Sequence, residues 1–127
     1  MSGANGINSY GDLLVWQKGM ALAKLVYAMT GCFPAPERFG LTVQMRRAAV
    51  SVPSNIAEGQ ARQGRREFVQ FLSHSEGSLA ELDTQLTLAA ELSYCHDPEA
   101  SRCAEMIAEL QRMLASLRRK IADRAAS

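Results

Sequence analysis

The sequence predicts an all-α fold, an up-down-up-down antiparallel four-helix bundle with a proline-bent second helix. Three observations carry that expectation. Apolar residues recur at alternating steps of four and three over long segments, as in helices that bury one stripe. No stretch alternates between apolar and polar residues as a half-buried strand would. Gly31 with Pro34, then Gly64, then Asp97 with Pro98 mark boundaries that divide the 127 residues into four helix-length pieces. The links are short, which sets neighbouring helices antiparallel.

The first helix opens at Asp12, whose carboxylate suits an N-cap, and runs to about Thr30. Residues 1–11, MSGANGINSYG, hold neither a basic leader nor an apolar stretch, so they read as a loose tail and not a signal peptide. That leaves residues 12–124 as a single domain. The second helix starts with Pro36 at its first position beside Glu37, whose charge suits the positive helix end, and reaches about Arg62. Within it lies QMRRAAVSVPSNIAEG, residues 44–59. Pro53 lacks a backbone donor and crowds the carbonyl four residues back, at a cost of about 3 kcal/mol in a helix interior. Ser51, Ser54 and Asn55 flank it and can hydrogen-bond near a bend. A break into two helices fits the spacing as well, because proline pushes Val52 out of the helical region.

The third helix follows Gly64, from about Arg65 to Leu92, with Phe68, Leu72, Leu79, Leu82, Leu86 and Ala89 as its stripe. Its middle is thin, with Ser73, Ser75, Gly77 and Ser78 together. Either another helix approaches closely there or the segment is simply weak. Asp97 and Pro98 form the cap and first turn of the fourth helix, which runs to about Arg124. Its seam of Cys103, Ile107, Leu110, Leu114, Leu117 and Ile121 is the most regular in the chain.

Helices one and two hold more apolar surface than a lone bundle needs. Leu13, Trp16, Met20, Ala23 and Tyr27 form one stripe on helix one, and Val15, Leu22, Val26 and Met29 a second. On helix two, Leu41, Met45, Ala48 and Val52 read as core, while Phe39, Val43 and Val50 point away. Burying one such side chain is worth about 1.5–3 kcal/mol. Self-association in a closed ring would cover these faces. The expected contacts are Val15, Leu22, Val26, Phe39, Val43 and Val50, some of which could instead fill the subunit core.

Composition narrows the function. There are 14 basic and 13 acidic residues and a net charge of +1, so no global field draws the chain to nucleic acid or membrane. No apolar run reaches the roughly 20 residues of a bilayer span. Cys32, Cys95 and Cys103 are an odd count without CxxC spacing, which suits a reducing cytoplasm. No phosphate loop, nucleophile elbow or Glu-x-x-His pair is present. His74 lies near Ser73, Ser75 and Ser78 but has no evident acid partner or oxyanion donor. Cys95, His96, Asp97 and Cys103 match no common zinc spacing. The expectation is a chain with no catalytic residues, no cofactor and no metal. Asn55 and Glu58 read as structural groups near Pro53.

Charge placement says more than net charge. In an antiparallel bundle Arg62, Arg65, Arg66, Arg118, Arg119, Lys120 and Arg124 collect at one pole, against Asp12, Glu58, Glu67 and Asp123. Cations near the end of helix four favour its dipole, but Arg65 and Arg66 sit at a helix start, where cations are disfavoured. Contact with nucleic-acid phosphate would reward them, and so would pairing with Glu58, Glu67 or Asp123.

Three blocks, DLLVWQKGMALAKLVY (12–27), ERFGLTVQMRRAAVSVPSNIAEG (37–59) and EFVQFLSHSEGSLAELDTQL (67–86), resemble the four-helix-bundle proteins encoded within intervening sequences of bacterial large-subunit ribosomal RNA genes. The resemblance spans residues 10 to 120. It implies a single bent second helix and a homo-oligomer, with a cyclic pentamer favoured. The accessory variability protein of diversity-generating retroelements is similar in architecture, strongly basic, and works with a reverse transcriptase and nucleic acid. This chain departs from it in being nearly neutral, with an acidic third helix carrying Glu76, Glu81, Asp83 and Glu91. The expected role is a non-enzymatic, oligomeric interaction module associated with rRNA or other nucleic acid through the basic pole. The alternative is a protein-binding scaffold, for example for a polymerase or reverse transcriptase, without nucleic-acid contact.

Overall fold

Four long apolar stripes meet in one core in the computed structural model, which describes residues 10–126. The helices are α1 (Tyr10–Thr30), α2 (Leu41–Ala61), α3 (Arg65–Glu91) and α4 (Glu99–Ala126), with a 3-10 turn, Ala35–Phe39, ahead of α2. No strand occurs among the described residues. Each helix packs on its neighbour in the chain, and α4 returns against α1. Contacting positions run in opposite order along adjacent helices. Gly19 meets Pro53 while Thr30 meets Arg46, and Ser75 meets Val52 while Phe68 meets Gly59.

Local chemistry sets the boundaries. Helix α1 includes Tyr10 and Gly11, so the predicted tail is two residues too long, and residues 1–9 lie outside the described part. Asp12 sits in the first turn and is buried. Helix α2 does not begin at Pro36. The 3-10 turn takes Pro36, and the α-helix starts only after Gly40, at Leu41, whose N–H donates to Glu37 Oε1 at 3.1 Å. Glu37 was therefore read correctly as an acid serving a helix start, but it acts from outside that helix. Asp97 caps α4, accepting from the Ser101 amide at 3.1 Å and the Ser101 hydroxyl at 2.5 Å.

The stripes of α3 and α4 fill the core as expected, and Ser75 occupies the gap between Leu72 and Leu79. Helix α1 corrects the expectation. Val15, Leu22 and Val26, predicted at the oligomer contact, are at most 2% exposed inside the subunit, whereas Met20 and Tyr27 are 36% and 47% exposed. Both stripes are apolar, so hydrophobicity alone could not fix which one faces inward. Both also recur at steps of three and four, so period does not choose either; packing does, with Val15, Leu22, Val26, Met29 and Phe33 all buried in the core. Gly19 belongs to this seam: a Cβ there would lie 3.4 Å from the Pro53 ring, in ordinary contact.

Helix α2 is continuous through Pro53, which excludes a break into two helices. The polar neighbours are used. Asn55 Nδ2 donates to Ser51 O at 2.7 Å, Ser51 Oγ donates to Ala48 O at 2.9 Å and shares a hydrogen bond with the Ser78 hydroxyl, and Ser75 Oγ donates to Val52 O at 2.9 Å. Two serines of the thin stretch in α3 thus tie that helix to α2 around the proline. Ser54 is exposed.

Candidate functional site

The predicted basic residues come together only in part. Arg62 caps the end of α2, where its guanidinium lies 3.1 Å from Glu58 and 5.1 Å over the Phe71 ring. Arg65 and Arg66 are exposed on the first turn of α3. Arg118 is half-buried and engaged by Glu76 through two bonds, 2.5 and 3.3 Å, which hold the guanidinium more firmly protonated than usual. Glu76 is the eleventh residue after Arg65, so this pair sits about 16 Å along the axis from it. The cations are therefore spread between the first turn of α3 and the second half of α4 and do not make a single cluster at one end. Arg119, Lys120 and Arg124 are exposed on α4. Among the described residues no salt bridge engages Arg65, Arg66, Arg119 or Lys120. Pairing of Arg65 and Arg66 with Glu58 or Glu67 is thus not how their position is rewarded within the subunit; Glu58 goes to Arg62.

The second candidate surface is a groove beside α2, lined by Tyr27, Val43, Arg46, Arg47, Val50, Ser51 and Ser54. Arg46 builds one wall: its Nε donates to Thr30 Oγ1 at 2.8 Å, and its guanidinium lies 4.5 Å from the Tyr27 ring centre. Val43 and Val50 were read from sequence as outward-facing, and Val50 is 40% exposed. Tyr27 and Arg46 were missed. Their signal was the inverted phase of α1, which turns Tyr27 outward, level with Arg46. Phe39, also read as outward, is 82% exposed on the turn before α2, with Arg38 4.8 Å over its ring.

The remaining reactive side chains are placed for packing. His74 is exposed with its ring edge-on to Phe71 at 5.9 Å. Burial pushes the Cys95 thiol up and the Cys103 thiol up to about 12, where neither forms a thiolate at neutral pH. Among the described residues no group of three or more His, Cys, Asp or Glu side chains is arranged to hold a metal, and no helix is long and apolar enough to cross a membrane.

Among the described residues the subunit is all-helical, with exposed cations at the start of α3 and on α4 and a groove beside α2. The chain belongs to the family described as 23S rRNA-intervening sequence protein, whose profile matches residues 11–116. It is also similar to a solved structure of a protein with unknown function from the S23 ribosomal protein family of Bacteroides thetaiotaomicron. That likeness has a TM-score of 0.78 at 21% identity, covering 86% of this chain and 98% of the other, and it concerns the fold alone. No curated protein matches the chain significantly.

Proposed function

We propose that the chain is a non-enzymatic, self-associating four-helix module of the cytoplasm that contacts RNA phosphate through Arg65, Arg66, Arg119 and Lys120. Three unpaired cysteines support the reducing compartment. The observation that carries the reading is the exposure of Arg65 and Arg66 at a helix start, unpaired among the described residues. Their mutual repulsion and the adverse helix dipole make an external anion the natural partner. Contact is electrostatic, because Arg65, Arg66, Arg119 and Lys120 are set among no exposed aromatic platform for stacking bases. Antiparallel helices, a Pro53 bend and ring closure, with five subunits favoured by the family resemblance, complete the architecture we infer.

The test is a titration of structured and single-stranded RNA at two salt concentrations. Four single-strand phosphate contacts per subunit give a weakening of about 50-fold between 50 and 200 mM salt. Reversing Arg65, Arg66 and Arg119 to Glu should abolish binding and leave the assembly mass unchanged. Absence of binding at low salt, or indifference to the reversal, would favour the scaffold reading. One observation speaks for that second reading: Arg62 and Arg118 are already neutralised by Glu58 and Glu76 within the subunit.

A further inference from the structure

Two exposed faces of this subunit are opposite in charge, and each presents apolar side chains. The groove beside α2 combines Tyr27, Val43 and Val50 with the guanidiniums of Arg46 and Arg47, and no carboxylate lines it. Among the described residues no salt bridge engages either arginine. The outer face of α3 has the opposite character. Leu88 and Leu92 are each 48% exposed, beside the exposed carboxylates of Glu81 and Glu91. Neither acid has a salt-bridge partner among the described residues. At about 100° per residue, Glu81, Leu88 and Leu92 fall within about 20° of one line along the helix. Leu88 and Leu92 lie about 6 Å apart along the axis, within the span of about 10.5 Å between Val43 and Val50.

We propose that the α2 groove of one copy receives the α3 outer face of a second copy, with Leu88 and Leu92 against Tyr27, Val43 and Val50 and with Glu81 and Glu91 toward Arg46 and Arg47. This rests on the self-association proposed above and specifies its contact. The groove and the α3 face are different surfaces of the subunit, and repeated head-to-tail pairing of the two gives an assembly that can close into a ring. An open chain of copies keeps one unused face of each kind, one at either end, until the assembly closes. Opposite charges set the register, and like faces repel, since groove on groove places four guanidiniums together. An unrelated acidic helix could satisfy the groove, but it would leave the α3 face of this chain uncovered. A second copy covers both.

The experiment uses two one-sided variants of the full chain, Val50→Asp, which spoils the groove, and Leu88→Arg, which spoils the α3 face. Light scattering at micromolar concentration should give the mass of one chain for each alone. An equimolar mixture should give the mass of two chains, because each supplies the face the other has lost. Wild-type protein that is itself monomeric would defeat self-association altogether. Wild-type assembly with either variant assembling normally, or with a mixture that stays monomeric, would overturn the head-to-tail contact alone. Should either variant lose its helical circular dichroism, Arg47→Glu and Glu91→Arg replace them. Each then weakens assembly at least tenfold in concentration, the double variant restores it, and failure of that rescue overturns the proposal.

Discussion

Alanine replacing Gly59 and alanine replacing Gly77 should move stability in opposite directions, although both glycines lie inside helices. A Cβ at Gly77 would meet nothing within 4 Å, whereas one at Gly59 would lie 2.8 Å from Phe71 Cβ and 2.9 Å from Phe68 Cδ1. Phe71 Cβ is fixed to the α3 backbone, so no rotamer change clears that overlap and α2 and α3 must separate. Alanine gains about 1 kcal/mol over glycine in a helix interior, and Gly77→Ala should realise all of it. At Gly59 the same gain is set against about 1–3 kcal/mol of overpacking. The two variants should therefore differ by about 1–3 kcal/mol, or some 4–12 °C in Tm at about 4 °C per kcal/mol. Thermal and urea unfolding followed by circular dichroism, at one fixed protein concentration, reads this directly. If Gly59→Ala matches or exceeds Gly77→Ala in stability, the close approach of α2 and α3 at this point is not a constraint.

Three further outcomes follow from the core. Cys103, held protonated up to about 12, supports the fold below the ordinary thiol value of 9.0 and loses that support as pH rises toward 12, because only the unfolded chain ionises there; Cys103→Ala should flatten the alkaline limb of the stability–pH curve, and native protein should label with a thiol reagent at exposed Cys32 long before Cys103. Both side-chain polar atoms of buried Gln60 lack a hydrogen-bond partner among the described residues, so Gln60→Met should gain about 1–2 kcal/mol by urea titration, and a loss would show that the amide is satisfied in solution. Pro53→Ala restores a backbone donor but vacates the ring that Gly19 faces; it should lower stability and disturb assembly, and a variant that assembles normally with raised stability would show that no needed geometry depends on the proline.

The helices were legible where a single stripe met clear punctuation. Phe68 to Ala89 and Cys103 to Ile121 each have one apolar face, and Gly64, Asp97 and Pro98 bound them, so α3 and α4 follow from pattern alone. Helix α1 has two apolar faces, and a period cannot choose between them. Reading Gly19 as a core position would have chosen correctly, since only a small residue lets α1 sit against Pro53. The outward set on α2 was readable because Met45, Ala48 and Val52 leave Val43 and Val50 no inward direction. The arrangement of the cations was half legible. Sequence collected the seven side chains, but the pairing of Arg118 with Glu76 depends on how α3 and α4 are aligned, forty-two positions apart in the chain. That alignment is a property of packing and not of spacing.

Glu37 uses both carboxylate oxygens, one on the Leu41 amide at 3.1 Å and the other on the Tyr94 hydroxyl at 3.0 Å. Tyr94 in turn packs on Phe33 with ring centres 5.6 Å apart. A single side chain therefore fastens the α1–α2 connection to the α3–α4 connection, two segments between which no backbone hydrogen bond runs among the described residues. Hydrogen exchange at these turns should be correlated, with both opening in one event and not as separate frayed loops. Phe39, two residues from the clasp, is then presented to solvent on a platform held jointly by the end of α1, the start of α2 and the turn after α3.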